Sequence, residues 1–341
     1  MRRSPAKLLA VTIAALGTVF AGTAAADPPV VPGPDDIVVV GSQTTGSLLG
    51  QLSTDYNAYL AGIGDTTSPR LHSFDSTGPS PITPRVGASA IARPATGGDG
   101  LIALNLPGSA VDVDRMDLPR QPSTPATDTF VLMAKDAVSW AAKSGGNAPA
   151  NLTTAQLKSI YECTVTNWTQ LNPSFPNATI KPYLPQTSST TRAFFLAAIG
   201  VTTPGACVTS GPGENQGVDP VLNDVNVLVP YSVGHYLGQT VGGHSTPTDG
   251  AGPLTVRAVN GVAAINTTTN TINAPFAASA FGRVVYNVVR QADWTSTGTK
   301  GTALRGIFGP SGWICTSITA RNDIKSYGFL QLPGAACGAT A

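Results

Sequence analysis

The chain has 341 residues, with 20 Lys+Arg against 19 Asp+Glu and only 11% charged residues, where an average globular domain carries roughly 25%. A net charge of +1 and the lack of any Lys/Arg cluster exclude a polybasic nucleic-acid binder. The 42% hydrophobic fraction excludes a disordered chain, and the length fits about two domains at roughly 150 residues each.

Arg2, Arg3 and Lys7 form a positive N-terminal region, followed by an apolar run of 14 residues from Leu8 to Ala21. Such a run is too short to span a bilayer, which takes about 20 residues. Ala24-Ala25-Ala26 then offers a small-residue cleavage site. Residues 1–26 therefore read as a secretory signal peptide cleaved after Ala26. No Cys follows the apolar run, so no lipobox is present. Cleavage would leave 341 − 26 = 315 residues with 20 − 3 = 17 basic and 19 acidic side chains. No later segment reaches about 18 consecutive apolar residues, and the expected product is secreted, extracellular and without a membrane span.

Ile37 to Val40 is a short buried β-run, and Leu48 to Leu60 has helical apolar spacing that Thr44 or Thr45 can cap. A second unit runs from Val111 through Asp117-Leu118-Pro119. Thr129 to Met133 predicts a strand and Lys135 to Lys143 a helix. In Asn151 to Tyr161 an amphipathic helix opens on Thr153 and Gln156, the spacing of a capping box. Ile180–Tyr183 predicts a strand and Thr190–Ile199 a helix; Asn226–Pro230 is a strand and Tyr231–Leu237 a helix start. Residues 238–273 are rich in Gly, Thr and Asn and read as hairpins or loops; Phe281–Val289 is a strand or a helix. Alternating β and α segments imply an α/β fold with a mainly parallel sheet.

Small or hydroxyl-bearing residues precede three of the helices: Gly41–Thr45, Thr96–Gly100 and Thr187–Thr191. Helix N-termini expose unpaired N–H groups and a positive dipole end, so such places either cap their helix or cradle an anion. Trp140 and Trp168 read as core. Arg93, Arg115 and Arg283 are cations whose direction the sequence leaves open. Four cysteines allow three pairings. None lies in a C-x₂₋₄-C pair and there are only three histidines, so no metal site and no cofactor are expected.

Residues 151–171, NLTTAQLKSIYECTVTNWTQL, resemble the L-T-x-x-Q-L-x-x-I-Y-x-G-x-I-T-N-W signature of the phosphate-binding proteins of ABC transporters. Further blocks agree in order. Val111-Asp112 through Asp117-Leu118-Pro119 resembles the family's V-D-F-x-x-S-D-x-P. Thr187–Phe195 resembles its D-G-S-G-T-x-x-x-F loop, and Gly213–Val218 its G-N-x-G-V. The resemblance implies the type II periplasmic-binding-protein fold, two α/β lobes with a ligand cleft between them. The crossover strands would be Thr129–Met133 and Asn226–Pro230. Lobe one would then hold 27–131 plus 231–341, and lobe two 132–230. The sequence-local disulfides Cys163–Cys207 and Cys315–Cys337 would each stay inside one lobe, and each ring would contribute about 3–4 kcal/mol in the chain-entropy model.

The resemblance also implies a ligand site of Thr44, Thr45, Gly98, Asp117, Ser188, Ser189, Thr190 and Thr191, in which Asp117 accepts a hydrogen bond from a proton-bearing oxyanion. Departures are clear. The family's loop Arg falls at Pro185, its loop glycines become Ser188 and Thr190, and the Ser of its G-S-S-G-G turn falls among Gly97 and Gly98. Arg192 is the candidate for the missing cation. The expected function is a monomeric solute-binding protein that captures phosphate or a similar small oxyanion without catalysis, with an ABC permease as a possible partner. The alternative is a secreted adhesin, sensor or scavenger of the same fold. A hydrolase is disfavoured because neither a G-x-S-x-G elbow nor an H-E-x-x-H motif occurs.

Overall fold

Strand β1 (Ile37–Gly41) is a run of branched aliphatic residues buried on both faces, as suits a strand covered by helices on either side. It belongs to a computed structural model that describes residues 27–341; the expected signal peptide lies outside the described residues. After β1 come α1 (Gly46–Gly62), β2 (Leu71–Ser73), α2 (Gly97–Leu104) and β3 (Val113–Met116). Next are β4 (Asp128–Lys143), β5 (Asn151–Leu152), α3 (Thr154–Tyr161), β6 (Lys181–Leu184), α4 (Thr190–Ile199), β7 (Thr209–Ser210), β8 (Val227–Ser232) and α5 (Val233–Thr240). Short strands β9 (Leu254–Val256), β10 (Ala258–Val259), β11 (Ile265–Asn266) and β12 (Thr271–Ile272) fill the Gly/Thr-rich region, and α6 (Ala274–Ala277) leads to β13 (Gly282–Arg290). Helices α7 (Gln291–Thr295), α8 (Thr299–Phe308), α9 (Trp313–Thr316) and α10 (Ile318–Ser326) precede β14 (Leu330–Gln331).

The main sheet runs β2-β1-β3-β13-β4-β8-β6-β7. Strand β1 lies parallel to β2 and β3, and β6 parallel to β7 and β8, while β13 is antiparallel to both β3 and β4. The result is a two-lobed mixed α/β fold. Helix α3 closes as its sequence requires: Thr153 Oγ1 accepts the Gln156 amide at 3.1 Å, and Gln156 Oε1 accepts the Thr153 amide at 2.9 Å. Helix α4 spans the expected residues and ends at Gly200, whose φ of 69° lies in the left-handed region that glycine enters without strain.

Two expectations fail here: the main sheet is mixed rather than mainly parallel, and the helix at residues 135–143 is absent. Lys135–Lys143 is not a helix but the second half of the 16-residue β4. Residues 128–137 of β4 pair with β13 and Val138–Ala141 with β8, so backbone pairing on successive partners overrides the helical look of its Ala and Lys residues. The packing also bears on where the chain passes between the lobes. Val233, Leu237, Val259, Ile272, Phe276 and Phe281 share an apolar cluster with Trp140, Trp168 and Phe195. On β13, Val285 and Val289 pack instead with Ile37, Leu48 and Leu304. We propose lobes of 27–137 plus 282–341 and of 138–281 in place of a return at residue 230.

Both Trp140 and Trp168 are fully buried. Cys163–Cys207 and Cys315–Cys337 form disulfides with Cα–Cα distances of 5.8 and 5.7 Å, within the usual range. Neither links the two lobes. No helix among the described residues is long and apolar enough to cross a membrane.

Candidate functional site

The turn between β1 and α1 is held from below by Arg115. Its buried guanidinium donates to the carbonyls of Gly41, Ser42 and Phe74 at 2.9–3.0 Å and to Ser73 Oγ at 2.8 Å. Burial pushes its pKa down to about 10, which leaves it charged at neutral pH. Arg115 is thus a structural clamp, and it points Ser42 and Thr44 toward Asp117. Thr44 caps nothing: its Oγ1 donates to Asp117 Oδ2 at 2.7 Å. Thr45 is the residue before α1, yet its hydroxyl makes no capping bond.

Asp117 is fully buried just past β3, although a Pro-flanked loop could equally have put it at the surface. Its Oδ2 also accepts Ser42 Oγ at 3.3 Å and Thr191 Oγ1 at 3.2 Å, and it faces Arg283 Nη1 at 3.0 Å. Its Oδ1 is buried without a hydrogen-bond partner. Thr44 and Asp117 come from the first lobe, Thr191 from the second, and Arg283 from β13 between them. The oxygens of Thr44 and Thr191 lie 3.3 Å apart across the cleft.

The cation beside Asp117 is Arg283. It is 3% exposed and pairs with Asp136 at 2.9 Å as well as Asp117. It also donates to Thr191 Oγ1 at 3.2 Å and lies 5.5 Å above the Phe194 ring. Burial disfavours its charge, but Asp117, Asp136 and Glu214 outweigh burial and raise its pKa. Arg192, the expected cation, turns away and donates to Pro185 O at 2.9 Å and Ser210 Oγ at 2.7 Å. That correction has a plain cause: on α4 the residue after Thr191 faces the strand side, where the Pro185 carbonyl and Ser210 take its donors.

The start of α4 is capped by Ser189, whose Oγ accepts the Arg192 amide at 3.0 Å. The same hydroxyl donates to Glu214 Oε1, which also accepts the Thr191 amide at 3.1 Å. Burial first, then Asp117, push the Glu214 carboxyl up to about 7, against its bonds from Ser189 and Thr191 and the Arg283 charge. Beside it, Asn215 (φ 56°) donates to Thr44 Oγ1 at 3.3 Å and accepts the Ser232 amide at 2.8 Å. Ser188 lies at the rim, and a Cβ on Gly98 would sit 3.1 Å from Ser188 O, so glycine allows α2 to approach the second lobe this closely. The Thr190 hydroxyl is buried without a partner.

The structure thus brings together Thr44, Asp117, Ser189 and Thr191, keeps Thr45, Gly98, Ser188 and Thr190 at the margin, and removes Arg192. The sequence reading missed Glu214, Asn215, Asp136 and the role of Arg283. Glu214 and Asn215 stood inside the recognised Gly213–Val218 block, and that adjacency was the available signal. Among the described residues no group of His, Cys, Asp and Glu could hold a metal ion. The cleft is shut here: Asp117, Thr191, Glu214 and Arg283 are all buried. A cavity of about 750 Å³ lies elsewhere, against Tyr56, Tyr59 and Trp313; no charged side chain lines it, so it offers no counterion to an oxyanion.

A family model described as a PBP superfamily domain matches residues 120–303. No curated protein matches the chain in sequence. An ABC-type phosphate transport receptor from Vibrio cholerae is similar in structure at 14% identity and a TM-score of 0.56, over 87% of this chain and 100% of that one. The ancestral soluble variant of the human phosphate binding protein is similar at 16% identity and a TM-score of 0.54, over 88% and 92% of the two chains. A phosphate binding protein from Stenotrophomonas maltophilia is similar at 12% identity and a TM-score of 0.52, over 88% and 91%. At these identities the likeness carries the fold.

Proposed function

The chain belongs to the PBP superfamily, and on that premise we propose that it is a secreted solute-binding protein that captures phosphate or a similar proton-bearing oxyanion between its lobes, without catalysis. The observation that carries the reading is Asp117. It sits among hydroxyl donors from both lobes beside Arg283, and its Oδ1 has no partner. A carboxylate oxygen can only accept, so a ligand meeting it must bring a proton. HPO₄²⁻ and H₂PO₄⁻ bring one and sulfate does not, which turns Asp117 into a repulsive element against sulfate. Delivery to an ABC permease fits this reading and the similar receptors. One observation favours the adhesin, sensor or scavenger alternative: the chain's own Asp117 and Glu214 take up donors that an anion would use.

Asp117→Asn is expected to weaken phosphate about ten- to hundredfold, since losing a hydrogen bond to a charged group costs about 1.5–3 kcal/mol. The same change should shrink the preference for phosphate over sulfate. Isothermal titration of both anions into wild type and variant checks this. A purely structural Asp117 would lower the melting temperature and leave the selectivity ratio unchanged.

A further inference from the structure

Helix α4 has the full set of features for holding an oxyanion: a first-turn amide at Thr191, the Ser189 hydroxyl and a buried start. Yet that amide and that hydroxyl both end on Glu214 Oε1. Glu214 is fully buried, and its second oxygen has no hydrogen-bond partner. It therefore stands where a ligand oxygen would stand, with half of its own hydrogen-bonding capacity unused. We propose that Glu214 is a built-in competitor for the ligand, occupying the α4 donors and thereby setting which oxyanions the cleft admits. This rests on the reading of the cleft as an oxyanion site.

The charges around it fix the direction of the effect. Asp117 past β3 and Arg283 on β13 both act on Glu214 directly. Asp136 on β4 lies behind Arg283 and shares its charge. On α2, Asp99 accepts from Thr96 and Ser188 at the rim. On α4, Arg192 is turned toward Pro185 and Ser210. With Glu214 ionised, three carboxyl groups, those of Asp117, Asp136 and Glu214, crowd the single Arg283 guanidinium. A further anion entering that set is repelled. Protonating Glu214 removes its charge and frees its hold on the α4 donors. Because the carboxyl titrates at about 7 rather than in the ordinary carboxylate range, this change falls within the neutral pH range. The site then favours ligand at mildly acidic pH and loses it as pH rises.

The test is isothermal titration of inorganic phosphate into wild type, Glu214→Gln and Glu214→Leu at pH 5.5, 7 and 8, with folding checked by circular dichroism. Comparing proteins at one pH cancels the ionisation of phosphate itself. We expect near-equal affinities at pH 5.5. At pH 8 both variants should bind about tenfold tighter than wild type, one pH unit above the titration point being one decade. Parallel pH courses for wild type and both folded variants would overturn the competitor role and leave the oxyanion site standing. No phosphate binding by any of the three would overturn both, since removing the competitor would then have opened nothing.

Discussion

Arg283→Met is expected to lower the unfolding free energy by about 3–5 kcal/mol, the usual loss when one partner of a buried ion pair is removed. The size follows from what stays behind. Asp117 and Asp136 are both fully buried, and Arg283 is their shared counterion. Asp136 retains Ser232 Oγ at 2.9 Å and the Gly234 amide at 2.9 Å, whereas Asp117 retains only hydroxyls. Urea denaturation of wild type, Arg283→Met, Asp117→Asn and the double variant forms a cycle. The double variant should lose less than the sum of the single losses, because neutralising Asp117 removes the charge that Arg283→Met strands. An additive cycle would mean the two side chains do not interact. Phosphate binding should disappear in the Arg283→Met variant.

His235→Ala is expected to cost about 3 kcal/mol or more. His235 opens the first turn of α5 and reaches across to the first lobe. Its Nδ1 lies 3.0 Å from Thr44 O and its Nε2 2.8 Å from Asp249 Oδ1. Both neighbours are acceptors, so the ring carries both protons. Burial opposes that charge, but Asp249 and the Thr44 carbonyl outweigh it and raise the pKa to about 9. The Asp249 pKa is in turn lowered: burial opposes this, but the His235 charge and hydrogen bond outweigh it, with smaller help from Gln239 and Ser47. A raised His pKa gives stability that is complete below the ordinary value of about 6.5 and lost as pH rises through 9. The lowered Asp249 value gives stability that is present above the ordinary carboxylate range and lost in acid. Wild-type stability should therefore fall between about pH 6.5 and 9, and His235→Ala should lack that fall. Equal alkaline profiles in the two proteins would show that the contact carries no charge.

What was legible in the sequence was local. The capping box of α3 at Thr153 and Gln156, the bounds of α4 and the β-branched β1 depend on neighbours a few residues apart, and so did the pairing of nearby cysteines. The fold followed from blocks in matched order. What the sequence hid was distant. Arg283 meets Asp117 across 166 residues, and nothing near position 283 marks it as facing a cleft. Residues 135–143 have a helical composition, and only pairing with β13 and β8 makes them a strand. Packing after β8 was hidden for the same reason: β8 looks like a crossover, but α5 and β9 to β12 pack with Trp140 and Trp168. Thr44 looked like a cap because a hydroxyl before a helix usually is one; here the Asp117 carboxylate takes its proton.

Isothermal titration of residues 27–341 with phosphate and, separately, with sulfate at pH 6 tests the central claim most directly. One phosphate should bind per chain, with sulfate at least about tenfold weaker, because Asp117 accepts a proton that sulfate lacks. Equal affinity for the two anions, or no heat from either on a protein that circular dichroism finds folded, would contradict it.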